Sequence, residues 1–70
     1  MEEKIILRGE YIKLDQALKA AFGMTGTEAK DMILDGAVFV NGEVEYRRGK
    51  KLRGGDTVEM DDNKIFIESL

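Results

Sequence analysis

A chain of seventy residues with neither cysteine nor histidine excludes a disulfide framework and any thiolate or imidazole metal site, so a small apolar core must hold the fold by packing alone. Nucleophilic and acid/base catalysis lose their usual residues too, because the single serine, Ser69, is the only hydroxyl of its kind and no histidine stands by to activate it. The formal net charge of −3 argues, as an average, against a polyanionic partner.

The run Lys4-Ile5-Ile6-Leu7-Arg8, closed by Gly9, predicts an opening strand or extended arm that packs on the helices. Its apolar stretch is far shorter than the roughly 20 residues of a membrane span and unlike a secretory leader. The expectation is a cytoplasmic protein, off the membrane, forming one domain over residues 1–70. From Leu14 to Phe22 the apolar residues Leu14, Ala17, Leu18, Ala21 and Phe22 recur at three- and four-residue spacing, with Asp15 near the start and Gly23 just past the end. Thr25-Gly26-Thr27-Glu28 fits a capping box, in which hydroxyl and carboxylate satisfy orphan amides at a helix start. Ala29, Met32 and Ile33 supply the buried stripe of this second helix, and Gly36 is placed to stop it in the left-handed conformation.

After Gly36 the apolar period becomes two. Val38 and Val40, then Val44 and Tyr46, flank Asn41-Gly42, the strongest short hairpin signal. Residues 47 to 53 read as a basic loop and Gly54-Gly55-Asp56 as a turn. Val58, Met60, Ile65 and Ile67 alternate around Asp61-Asp62-Asn63, a second hairpin. Strand, two helices and several short strands make an α+β fold: two short helices packed on a small antiparallel or mixed sheet.

Charge is unevenly distributed along this order. Residues 1–46 and 54–70 each sum to −4, whereas Arg47, Arg48, Lys50, Lys51 and Arg53 put +5 into seven positions that contain no acid. With a Debye length of about 8 Å, remote acids are screened while the segment's own field survives at contact. Arginine forks and flexible lysines together suit a phosphodiester backbone, and Gly49 permits close approach. A charge run is often only a solvated loop; the missing acids weigh against that here. Lys13, Lys19 and Lys30 extend the patch across the helices, although Lys19, four residues after Asp15, has a helix-surface ion pair as its other reading. Tyr46 at alternating spacing reads as a sheet-face residue rather than a base-stacking one. Asp61-Asp62 reads as turn chemistry rather than a metal site, and Gly54-Gly55-Asp56 lacks the helix and Lys-Ser/Thr pair of a phosphate-cradling loop. No cofactor is expected.

The blocks Leu14-Asp15-Gln16-Ala17-Leu18, Thr25-Gly26-Thr27-Glu28-Ala29-Lys30, Ile33-Leu34-Asp35-Gly36-Ala37-Val38-Phe39-Val40-Asn41-Gly42 and Gly55-Asp56-Thr57-Val58 resemble the RNA-binding domain named after small-subunit ribosomal protein S-four, over residues 11–60. Arg47-Arg48-Gly49-Lys50-Lys51-Leu52 resembles its small stand-alone bacterial members. The resemblance implies RNA held along the face made by the two helices and the adjoining loop (the family's αL motif). In many members an arginine follows the hydroxyl residue that opens the second helix. Here Thr25-Gly26 keeps the hydroxyl and lacks the arginine, which moves the expected contact onto Lys19, Lys30 and residues 47–53. The amides near Gly26 and Thr27 remain a further expected phosphate contact. Synthetase and pseudouridine synthase activities reside in other domains of the proteins that carry this one, so the expectation is a non-catalytic protein.

The combined expectation is a monomer that binds structured RNA, ribosomal RNA among the candidates, mainly through phosphates, at Lys13, Lys19, Thr25, Gly26, Thr27, Lys30, Arg47, Arg48, Lys50, Lys51 and Arg53. Two alternatives stay open. The basic loop docks on an acidic or ribosome-associated protein partner, or the same charges hold duplex DNA.

Overall fold

The structure, a computed structural model, describes residues 1–70. Nine elements follow one another: β1 (Glu2–Leu7), β2 (Ile12–Lys13), α1 (Leu14–Phe22), α2 (Gly26–Leu34), β3 (Val38–Val40), β4 (Glu43–Val44), β5 (Lys51–Leu52), β6 (Thr57–Met60) and β7 (Asn63–Ser69). A five-stranded sheet runs in the order β1-β7-β6-β3-β4, and β2 and β5 form a separate two-stranded ribbon. It is an α+β fold with two helices on a mixed sheet. No helix is long and apolar enough to cross a membrane.

Local sequence explains most boundaries. α1 ends where Gly23 takes a φ of 66° and its N–H donates to the Lys19 carbonyl. α2 opens with the expected capping box: Thr25 Oγ1 accepts from the Glu28 amide at 3.1 Å, and Glu28 Oε1 accepts from the Thr25 amide at 2.9 Å. The β3–β4 hairpin turns through Asn41 and Gly42, both at positive φ, as the mirror-image turn favoured between twisted strands requires. β6 and β7 pair from Thr57↔Phe66 to Met60↔Asn63, with Asp61 in the left-handed conformation at their turn.

The core consists of thirteen buried residues, all apolar, and no polar side chain is buried. The inner sheet face gives Val38, Val40, Val58, Met60, Ile65 and Ile67; the helices give Leu14, Ala17, Leu18, Ala29 and Ile33. The alternation of each strand sets this face, since neighbouring side chains point oppositely. Leu7 and Leu52 complete the cluster.

Three expectations need correction. β1 pairs in parallel with β7, Glu2↔Lys64 through Leu7↔Ser69, so it is a sheet strand at one edge and not simply an arm laid on the helices. Such a pairing cannot be closed by a tight turn, and nothing local in residues 4–8 announces it. β4 ends at Val44, and Tyr46 lies outside it, with its ring against Gly36: a Cβ at that glycine would lie 3.3 Å from the tyrosine. Tyr46 is therefore not a sheet-face residue. The segment 47–53 is not one loop, because Lys51–Leu52 is a strand and Leu52 is fully buried. Burying a leucine contributes about 2 kcal/mol, which draws the middle of the basic segment onto the core and into pairing with β2.

Candidate nucleic-acid interface

The ribbon of β2 and β5 is antiparallel, with Ile12 opposite Leu52 and Lys13 opposite Lys51. Alternation sends Ile12 and Leu52 inward, Leu52 into the core and Ile12 against it, and leaves Lys13 and Lys51 exposed on the outer side. Two lysines thus stand opposite each other across a strand pair, an arrangement of like charges that opposes folding. The chain contains two ion pairs, Lys4–Glu68 at 3.4 Å and Arg47–Glu45 at 3.1 Å, and neither relieves the two lysines. Tyr11 adjoins them, with Lys51 Nζ 4.9 Å and the Arg53 guanidinium carbon 5.7 Å from its ring centre.

The backbone of the basic segment is held at both ends. Its carbonyls cap α1, which has no side-chain cap of its own: the Leu14 amide donates to the Lys50 carbonyl at 2.9 Å and the Asp15 amide to the Arg48 carbonyl at 3.1 Å. The positive end of the α1 dipole therefore lies beside the cations and adds to their field. At the other end the Asp56 carboxylate accepts from the Arg53 amide at 2.8 Å and from Asn41 Nδ2 at 3.0 Å, while Asn41 Oδ1 accepts from the Thr57 amide at 2.9 Å. This clasp joins the β3–β4 turn to the end of the basic segment. Gly54 lies so close to Ser69 that any Cβ there would collide with it.

Between the two anchors lies an open concavity lined by Arg47, Gly49, Lys50, Lys51 and Arg53, with no hydrophobic side chain. A second concavity adjoins it, where Arg47 and Lys50 meet Glu43, Glu45 and Asp56. Arg47 is the cation that is neutralised. Its Nε and Nη2 donate to Glu45, as does its backbone amide. Hydrogen bonding from the Arg47 side chain holds the Glu45 carboxyl below the usual glutamate range, and the same pair raises the guanidinium. The remaining cations of the segment have no carboxylate partner within ion-pair distance.

With this face described, the sequence match decides the family: residues 5–68 match the S4 domain. The chain belongs to the S4 domain family. No curated protein matches it. S4 domains are RNA-binding modules, typically without catalytic activity. The match reaches beyond residues 11–60 to include half of β1 and most of β7, the strands whose pairing closes the sheet.

Within this S4 domain the expected contact residues fall into groups. Lys13, Lys50, Lys51 and Arg53 share the ribbon and its concavity, with Lys13 also standing at the N-cap of α1. Arg48 is exposed next to them and gives its carbonyl to α1. Lys19 lies about 9 Å further along the helix axis, where its Nζ is 4.0 Å from the Cβ position of Gly26. Lys19 makes no ion pair with Asp15, whose carboxylate instead accepts from the Gln16 amide. Gly26 and Thr27 begin α2, so their amides lack intrahelical acceptors, but the Glu28 carboxylate sits at that same helix start and the Thr25 hydroxyl is engaged in the cap. Lys30 is exposed on α2. No three acidic side chains converge as a metal site would require.

Tyr11 and Asn41 are the residues that sequence reasoning missed. Asn41 was legible as a turn former, not as a ligand of Asp56. Tyr11 had a faint signal: Tyr11-Ile12-Lys13 and Lys51-Leu52-Arg53 each set one apolar residue between two polar ones, the pattern of two half-buried strands.

Proposed function

We propose that this S4 domain acts without catalysis as a cytoplasmic monomer, residues 1–70 forming one domain that grips structured RNA by its phosphates. Ribosomal RNA, alone or within a ribosomal particle, is the target class to test first. The contact face comprises Lys13, Arg48, Lys50, Lys51 and Arg53, with Lys19, Lys30 and the Thr25-Gly26-Thr27 helix start extending it along the αL side. The observation that carries this reading is the opposition of Lys13 and Lys51, neither of which has an ion-pair partner. A fold gains nothing from that pairing by itself, whereas a phosphate placed between two ammonium groups turns their repulsion into two attractions. Arg47 belongs to this face only when a stronger anion draws it from Glu45.

A domain fitted to A-form geometry prefers RNA, because the wide minor groove and 2′-hydroxyls differ from those of B-form DNA. The test is competition of a labelled RNA hairpin from this protein by unlabelled RNA and by DNA duplex of matched length, repeated with Lys13→Ala/Lys51→Ala. RNA should displace the label at lower concentration than DNA, and the double variant should bind about 10-fold or more weakly, two lost phosphate contacts at roughly one decade or less each. Equal competition by DNA would assign the face to duplex DNA, and undiminished binding by the double variant would place the contact elsewhere.

A further inference from the structure

We infer that Tyr11 is a stacking platform for an unpaired base, so that the face described above selects RNA in which a duplex adjoins a bulged or looped nucleotide. This rests on the RNA-binding reading and narrows it to one class of RNA.

Tyr11 is 41% exposed and belongs neither to the buried core nor to the half-buried residues packed against it. The strand position next to it, Ile12, does the packing. A tyrosine that contributes so little to the core has two cations over its ring, Lys51 Nζ at 4.9 Å and the Arg53 guanidinium at 5.7 Å from the ring centre. Arg53 is not there by chance of side-chain rotation. Its Nη1 donates to the Glu10 carbonyl at 3.3 Å and its amide to Asp56 at 2.8 Å, which fixes the guanidinium beside the residue that precedes Tyr11.

An exposed aromatic ring next to fixed cations at the rim of a phosphate-binding concavity joins the two parts of single-strand recognition: a π-face for a base and a positive charge for its backbone. Duplex RNA offers no unstacked base to such a ring, since its bases are stacked on one another and its backbone alone is within reach. A bulge or loop beside the duplex offers both, and the base gains the ring while the flanking phosphates gain Lys51 and Arg53. Tyr46, the other tyrosine, is more exposed at 60% but has its ring against Gly36 and no cation over it. The two tyrosines thus differ in surroundings, and only Tyr11 has the charge beside it.

The experiment compares two probes, a blunt RNA duplex of about 16 base pairs and the same duplex with a short bulge containing 2-aminopurine. The wild-type protein should bind the bulged probe about 5- to 100-fold more tightly, the range given by one stacked base, and should change the 2-aminopurine fluorescence on binding. Tyr11→Phe should retain both effects. Tyr11→Leu, with its fold confirmed by circular dichroism, should bind the two probes equally and leave the fluorescence unchanged at saturation. Equal wild-type affinity for the two probes, or a Tyr11→Leu variant that keeps the preference and the fluorescence change, would overturn the inference while leaving RNA binding intact. Failure of the wild type to bind either probe would overturn the RNA-binding reading and this inference with it.

Discussion

Glu45 and Arg47 set the balance of charge at the rim of the basic face. The guanidinium that would otherwise face a polyanion is held by a neighbour two positions away, so the carboxylate competes with phosphate for it. Because Glu45 has a lowered carboxyl pKa in the fold, chiefly through its hydrogen bonds from Arg47, its stabilising contribution is present above the ordinary glutamate value of about 4.3 and is lost as the pH falls through the lower folded value. Glu45→Gln should therefore melt below the wild type at neutral pH, with the difference shrinking in acid, as followed by circular dichroism. The same substitution should tighten RNA binding and steepen the salt slope by about one, since it releases one cation to the phosphates. A gap in melting temperature that grows toward low pH would contradict the pairing.

Among the elements, β5 depends, like β1 and β2, on a distant part of the chain. Lys51 and Leu52 meet Ile12 and Lys13, and the segment between Arg47 and Arg53 keeps its form because α1 and Asp56 hold its backbone. Asn41 is the distant end of that hold. Asn41→Gly keeps a residue that accepts positive φ but deletes the hydrogen bonds to Asp56 and Thr57, so it should cost about 1–2 kcal/mol of stability in urea unfolding. It should also weaken RNA binding, although residue 41 contributes no charge. The helices and hairpins themselves were legible in sequence: Leu14, Ala17 and Leu18 spaced α1, Thr25 and Glu28 opened α2, and Asn41-Gly42 turned β3 into β4. Each depends on residues within four positions of one another. The ribbon was not legible, because Lys13 and Lys51 are far apart in the chain and are neighbours only through the packing of Ile12 and Leu52.

For the whole molecule, an overall charge of −3 coexists with a face where cations predominate. The acids lie elsewhere or in the adjoining concavity with Glu43, Glu45 and Asp56, and screening limits their reach at physiological salt. If Lys13, Arg48, Lys50, Lys51 and Arg53 each neutralise a phosphate, log K against log salt should fall with a slope on the order of −3.5 to −4.5 over about 50 to 200 mM. Replacing Arg48, Lys50, Lys51 and Arg53 by alanine should bring it to about −1, measured by fluorescence anisotropy. A slope unchanged by the four substitutions would separate the basic face from binding.

What the sequence determined alone was the set of local elements, the α+β class and the concentration of positive charge, since propensity, capping, turn chemistry and periodicity act over a few residues. Tertiary structure alone decided that β1 closes the sheet in parallel with β7, that Lys51–Leu52 is a strand, that Lys13 faces Lys51, and that Tyr11 stands beside Arg53. Those are contacts between distant positions, and they exist because one small core gathers Leu52, with Ile12 packed against it, drawing the charged neighbours of both together on the outside.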